Sequence, residues 1–289
     1  MATADRVSQE LRLRPRWALV AAGAGVLVFG GAAVQAAGPQ PKVDELTVQL
    51  LVTSRRGGLE ILGALVNGLG VLGLGATLAL LFTCVKARKP QIAQATWIIA
   101  VVGAVLAAVG GIAYAAVISS KAHQFATHGM QTYPEAKALL SSGGVAALQY
   151  AGLLGSLLLA VGFVLVSLNA MRVGLITRFL GYLGIAAAAS SLLLIGSAPA
   201  LLLEVAWLLA LAYLLSGRWP SGDPPAWRTG EAVPWPSSAE LREQRQRATG
   251  RGRPAKPSRQ APAPRREPVA AATSPTRSTT PKRKRKRRK

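Results

Sequence analysis

The chain has 289 residues, of which 51% are hydrophobic, yet it carries a formal net charge of +22. Beyond Gly217 lie 20 of its 34 Lys and Arg against five acids (Asp223, Glu231, Glu240, Glu243, Glu267), so a balance of +15 sits in the C-terminal tail. Charge and oil are therefore segregated into an apolar membrane body and a basic, Pro-rich tail, which excludes a soluble domain. The single cysteine, Cys84, excludes an internal disulfide framework and a Cys-cluster metal site, and two histidines, His123 and His128, leave little for metal chemistry.

Residues 1–16 are polar and hold Arg6, Arg12, Arg14 and Arg16. Residues 17–37 form the first apolar stretch. Val34-Gln35-Ala36 spells a small-residue cleavage site, so a signal peptide is one reading. The stretch is longer than the ~7–15 residues of a signal core, and no hydrophilic secreted domain follows, so a retained helix is preferred. Helices two and three are predicted over 59–85 and 95–118, separated by Lys86, Arg88, Lys89 and Pro90. A polar loop over 119–143 follows. It holds both histidines and a short interfacial helix at 134–140. The remaining apolar runs, 145–170, 177–197 and 200–216, are broken by Arg172 and Arg178 and then by Ser197-Ala198-Pro199. Each run is near the 17–25 residues that cross a hydrocarbon core of ~30 Å. The expected fold is an all-α, polytopic transmembrane bundle of about six helices spanning 17–216.

Orientation follows from the Lys and Arg that flank the helices. With the N-terminus inside, the inner segments hold nine before the tail, against five outside, and the tail adds to that bias. Both termini are then cytoplasmic. Arg55 and Arg56, on the outer side of helix two, run against the trend. Small and polar residues recur at helical spacing: Glu60, Gly63, Asn67, Gly70 and Thr77; Gly103, Ala107, Gly110 and Tyr114; Gln149, Gly152, Ser156, Ala160 and Ser167; Gly181, Gly184, Ala188 and Ser191. Such stripes mark helix–helix contact in lipid.

Gly68-x-Gly70-x-x-Gly73 spells a dinucleotide fingerprint, but inside an apolar helix it lacks the strand and helix start that would face a phosphate. Glu60 and Glu204 are the carboxylates at or within the helices. They read either as solvated interfacial groups or, with Asn67 and Gln149, as an outward-facing polar pocket, because intramembrane charge is costly. His123 and His128 are too few for a zinc site. Cys84, beside basic residues at a helix end, is either an acylation site or a small apolar filler. No catalytic motif is present, and neither an enzyme nor a cofactor is expected.

The tail changes character twice. Residues 217–236 set Trp219, Trp227 and Trp235 among prolines, which suggests a segment lying on the inner leaflet. With Arg172 and Arg178 they make a candidate docking surface for a protein partner. Ser237-x-x-Glu240 is a capping box for a short polar helix to about Arg247. Residues 248–289 lack the large apolar side chains needed to fold and are expected to be disordered. They end in Lys282, Arg283, Lys284, Arg285, Lys286, Arg287, Arg288 and Lys289. That run is expected to contact anionic phospholipid headgroups of the bilayer at ~1 kcal/mol per charge. Ribosome or nucleic-acid contact is the alternative.

Two stretches carry a resemblance. Leu168-Asn-Ala-Met-Arg-Val-Gly-Leu-Ile-Thr-Arg-Phe-Leu-Gly-Tyr-Leu-Gly184 is one. Gly217-Arg-Trp-Pro220, Pro224-Pro-Ala-Trp227 and Gly230-Glu-Ala-Val-Pro-Trp-Pro236 make up the other. Together, over roughly 168–236, they resemble a group of uncharacterised multi-span membrane proteins of actinobacterial type. The resemblance implies a bacterial plasma membrane and brings no activity and no site residues. The function expected is a structural or interaction role at the membrane. A small-molecule transporter or sensor is the alternative, and an insertase with a ribosome-contacting tail a third.

Overall fold

A computed structural model describes residues 3–38, 45–193, 197–220 and 222–235, and, further on, 240, 242, 243 and 245–247. Among these residues the fold is all-helical: α1 (Thr3–Ala36), α2 (Leu46–Arg88), α3 (Ala95–His128), α4 (Tyr133–Leu140), α5 (Gly143–Arg172), α6 (Arg178–Leu193), α7 (Ala198–Leu215) and α8 (Pro225–Thr229). Five helices, α1, α2, α3, α5 and α7, are long and apolar enough to cross a membrane, and α6 is a shorter apolar helix of 16 residues. Residues 1–236 form one compact unit; the second, from Ser237 on, is described only at its few helical residues, where Glu243 and Arg247 pair at 3.6 Å in full solvent.

Three helices run past the boundaries expected of them. A start after Pro15-Arg16 is the natural reading for α1, but it runs back to Thr3, with Pro15 inside it. Its first turns are held by tertiary bonds: Arg6, Glu10 and Arg14 all bond to other elements. At ~1.5 Å per residue the 43 residues of α2 extend ~65 Å, about twice a hydrocarbon core. The N-terminal part of α2, the end of α3 and α4 form a second small core of Leu50, Ala122, Phe125 and Ala136. His123 and His128 therefore sit on the last turns of α3 rather than in a loop.

The six apolar helices, α1, α2, α3, α5, α6 and α7, pack as a ring in chain order. Each touches the next, α4 aside, and α7 closes back onto α1, while α2 and α5 also touch across the middle. Where α3 meets α5 the backbones nearly touch. A Cβ on Gly103 would strike the Leu159 amide, and one on Gly155 the Ala107 amide. The glycines of the fingerprint spelling do the same work: Gly70 lies against Val28 and Gly73 against Ala24 of α1. Small residues let helices approach this closely where lipid supplies no hydrophobic drive between them.

One end of the ring gathers the N-terminal part of α1, the ends of α2, α5 and α7, and residues 223–235. It carries Arg6, Arg14, Arg88, Arg172 and Arg178 and is called here the basic end. The half of the bundle nearest it is filled by Leu78, Leu81, Phe82, Val166, Leu180, Leu211 and Leu214. Trp207 anchors that half. Its indole N–H donates to the Leu180 carbonyl at 3.0 Å, and its ring meets Phe163 edge-on at 4.5 Å. The opposite half holds cavities.

Candidate functional site

The largest cavity, about 460 Å³, lies where α1, α2, α3, α5, α6 and α7 converge. Leu74 and Phe163 form its floor. Asn67, Gln35, Ser156, Ser191, Ser197 and Glu204 supply the polar groups of its wall. Glu204 stands in the second turn of α7, which starts at Ala198-Pro199 with proline in the first turn, where its missing N–H costs nothing. Among the described residues the Glu204 carboxylate has no hydrogen-bond or ion-pair partner. Ser191 is turned to its own helix, donating to the Ala187 carbonyl at 2.8 Å, and Ser156 to Gly152 at 3.0 Å. Glu204 and Asn67 thus keep their polar groups for the cavity.

Two further cavities of about 300 Å³ adjoin it. One lies between α2 and α3 and is lined by Gln35, Glu60, Asn67, Tyr114 and Ser119. The other lies between α2, α3 and α5 and is lined by Asn67, Tyr114, Gln149 and Ser156. Asn67, Val71 and Ala107 border all three. The four residues read from the sequence as a pocket therefore fall on adjoining cavities: Glu60 in the first, Gln149 in the second, Glu204 in the largest and Asn67 in each. Glu60 is not free. It pairs with Arg56 one turn earlier at 2.5 Å, and Arg56 also donates to the Gln35 carbonyl. Arg56, which ran against the orientation bias, is thereby neutralised and buried.

Sequence reasoning missed Gln35, which lines two of the cavities. The signal was a lone amide within an apolar helix, disguised by its place in the Val34-Gln35-Ala36 cleavage spelling.

The candidate docking surface is arranged differently from its expectation. Residues 222–235 fold up against the end of the bundle, and Trp227 is buried in the main core. Its indole N–H donates to Leu175 at 2.8 Å, and the guanidinium groups of Arg14 and Arg88 lie 4.8 and 5.4 Å from its ring centre. Trp235 donates to Ile176 at 3.0 Å, and Arg178 donates back to the Trp235 carbonyl at 3.2 Å. Trp219 packs on Tyr213 at 6.0 Å, half-buried, and Arg172 is exposed. The acceptors are the backbone carbonyls that the α5–α6 turn leaves outside any helix. Of the five residues, Trp227 is thus a core residue and not a surface one.

Two ion pairs fix this strap. Arg88 holds Glu10 through both carboxylate oxygens at 2.6 and 3.2 Å and donates twice to the Ala226 carbonyl. Arg14 holds Asp223 at 2.8 Å and the Leu214 carbonyl at 2.9 Å. The Arg14 bond lowers the Asp223 carboxyl below its ordinary value of 3.8. Cys84 is buried beneath the same cluster as part of the core. The capping-box serine Ser237, residues 248–289 and the basic run 282–289 lie outside the described residues.

Family models, curated proteins and solved structures give no match to this chain.

Proposed function

We propose that this multi-pass membrane protein takes a small organic cation into the six-helix cavity from the side opposite its basic end, with Glu204 as the counter-charge. One observation carries the reading: an unpartnered carboxylate on the wall of a cavity of about 460 Å³ that every long helix helps to line. An ionisable group at membrane depth is expensive and marks an ion or substrate path, and cavities of ~300–1,000 Å³ suit small ligands. The cavity wall has no Lys or Arg, which favours a cation and disfavours an insertase groove. The protein acts here as a binder, a sensor or transporter, and not as an enzyme. α1 is read as a retained helix, which its supply of Gln35 to the cavity and Arg14 to the strap supports.

The basic end faces the cytoplasm of a bacterial cell, in keeping with the resemblance over 168–236. The polybasic run, Lys282–Lys289, then binds anionic headgroups of the inner leaflet, and ribosome contact is the competing outcome.

The test is thermal unfolding of the purified protein in detergent with a panel of primary and quaternary amines and size-matched carboxylates. Amines raise the Tm of the wild type and not of Glu204→Gln. No shift with any amine, or equal shifts in the variant, would overturn the reading.

A further inference from the structure

We propose that the groove between α1 and α2 at the basic end is a binding site for one anionic phospholipid. The groove has a volume of about 250 Å³. Arg6 and Arg14 lie at its head, and Leu13, Trp17 and Leu80 line it deeper along the helices, with Thr83 at its mouth.

The charge is unbalanced by one. Arg14 has Asp223 and Arg88 has Glu10, whereas Arg6 bonds only to the neutral carbonyls of Ala87 and Gly230 at 3.1 and 3.0 Å. Glu10 also borders the groove, but Arg88 occupies both its oxygens. The Nε–H groups of both Arg6 and Arg14 are buried and without an acceptor, and Arg14 is only 5% exposed. An arginine on the groove wall whose charge meets only neutral carbonyls calls for an acceptor that carries negative charge.

The order of residues along the two helices selects a lipid over a free anion. On α1 the charged positions 6 and 14 precede the apolar Trp17, and on α2 the apolar Leu80 precedes the polar end at Ala87. Both helices run on from this end as apolar spans. A phosphodiester at the arginines therefore sets its acyl chain against Trp17 and Leu80, in the direction a lipid of the adjacent leaflet already points. A zwitterionic headgroup would leave the extra charge uncompensated.

The experiment uses the full chain, delipidated in detergent and re-exposed to equimolar phosphatidylglycerol and phosphatidylcholine, with retained lipid read by native mass spectrometry. The wild type keeps one phosphatidylglycerol in preference to phosphatidylcholine. Arg6→Gln lowers its retention about tenfold, the scale of one charge-assisted hydrogen bond. Thr83→Trp, which fills the groove and leaves every arginine bond in place, lowers it as far. Replacing the eight residues 282–289 by serine leaves it within about twofold, since the proposed contacts are all made by α1 and α2. Full retention in the two groove variants, or loss only on replacing the tail, overturns the site. So does protection by soluble glycerol phosphate with no lipid retained, which makes it a free-anion site. Should Arg6→Gln fail to fold, Thr83→Trp decides.

Discussion

At the scale of single residues, Trp227 shows how the strap is held. Its ring is enclosed by two guanidinium groups, and its N–H satisfies a carbonyl of the α5–α6 turn. Trp227→Ala removes a fully buried ring and is expected to destabilise by ~3–5 kcal/mol in denaturant unfolding in detergent. Arg88→Gln leaves Glu10 without its partner in a largely buried setting and should cost ~3–5 kcal/mol. A Glu10→Gln, Arg88→Gln double variant should recover part of that loss, since no charge is then stranded. The Arg14–Asp223 pair adds a pH signature. Because the folded carboxyl titrates below its ordinary value, the pair's contribution is complete above an unfolded pKa of ~3.9 and fades as pH falls through the lower folded value. Tm curves of wild type and Asp223→Asn should therefore be separated at pH 6 and converge below about pH 4. A separation that persists unchanged in acid would show that the bond is not ionic.

The elements divide into those the sequence makes plain and those it hides. Apolar runs of span length mark α3, α5 and α7, because in lipid every backbone group must be satisfied within a helix. The ends of α2 and α3 are hidden by the same logic in reverse. Thr53-Ser54-Arg55-Arg56 and Ser119-Ser120-Lys121 read as loop, yet these turns are helical because Leu50, Ala122, Phe125 and Ala136 give them a core of their own. Asn67 and Glu204 were legible as polar residues among apolar neighbours. A shared pocket is one of the two readings the sequence offers for them; the closure of α7 on α1 that brings both to one cavity is not visible in the chain. Trp227 reads like its neighbours Trp219 and Trp235; its burial in the main core beside Arg14 and Arg88 is what separates it. The turn at Gly174 makes this checkable. Its φ is +77°, and a Cβ there would run into the Val233 carbonyl, whose own N–H bonds Val173 at 3.1 Å. Gly174→Ala carries ~1–2 kcal/mol of left-handed strain plus that clash, so the strap should loosen. Limited trypsin digestion should then cut at Arg218 and Arg228 faster than in the wild type.

For the whole molecule, the ring has a dense half beside the basic end and a hollow half opposite it. The orientation proposed from the positive-inside bias would set the dense half toward the cytoplasm. A reporter that functions only in the cytoplasm, fused after Lys289, should be active, and one fused at Gln131 in the α3–α4 turn should be silent. Activity at both sites, or the reverse pattern, would invert the orientation and with it the access assigned to the cavity.

The length of α2 has a mechanical corollary. One proline-free rod carries Leu50 near its tip, Glu60 and Asn67 at the cavities, and Arg88 at its far end clasping Glu10 and Ala226. No proline breaks the helix between Asn67 and Arg88. If the cavity takes up a solute as proposed, a tilt of this rod beside Asn67 would be carried along its length to the Arg88 clasp and the tryptophan strap.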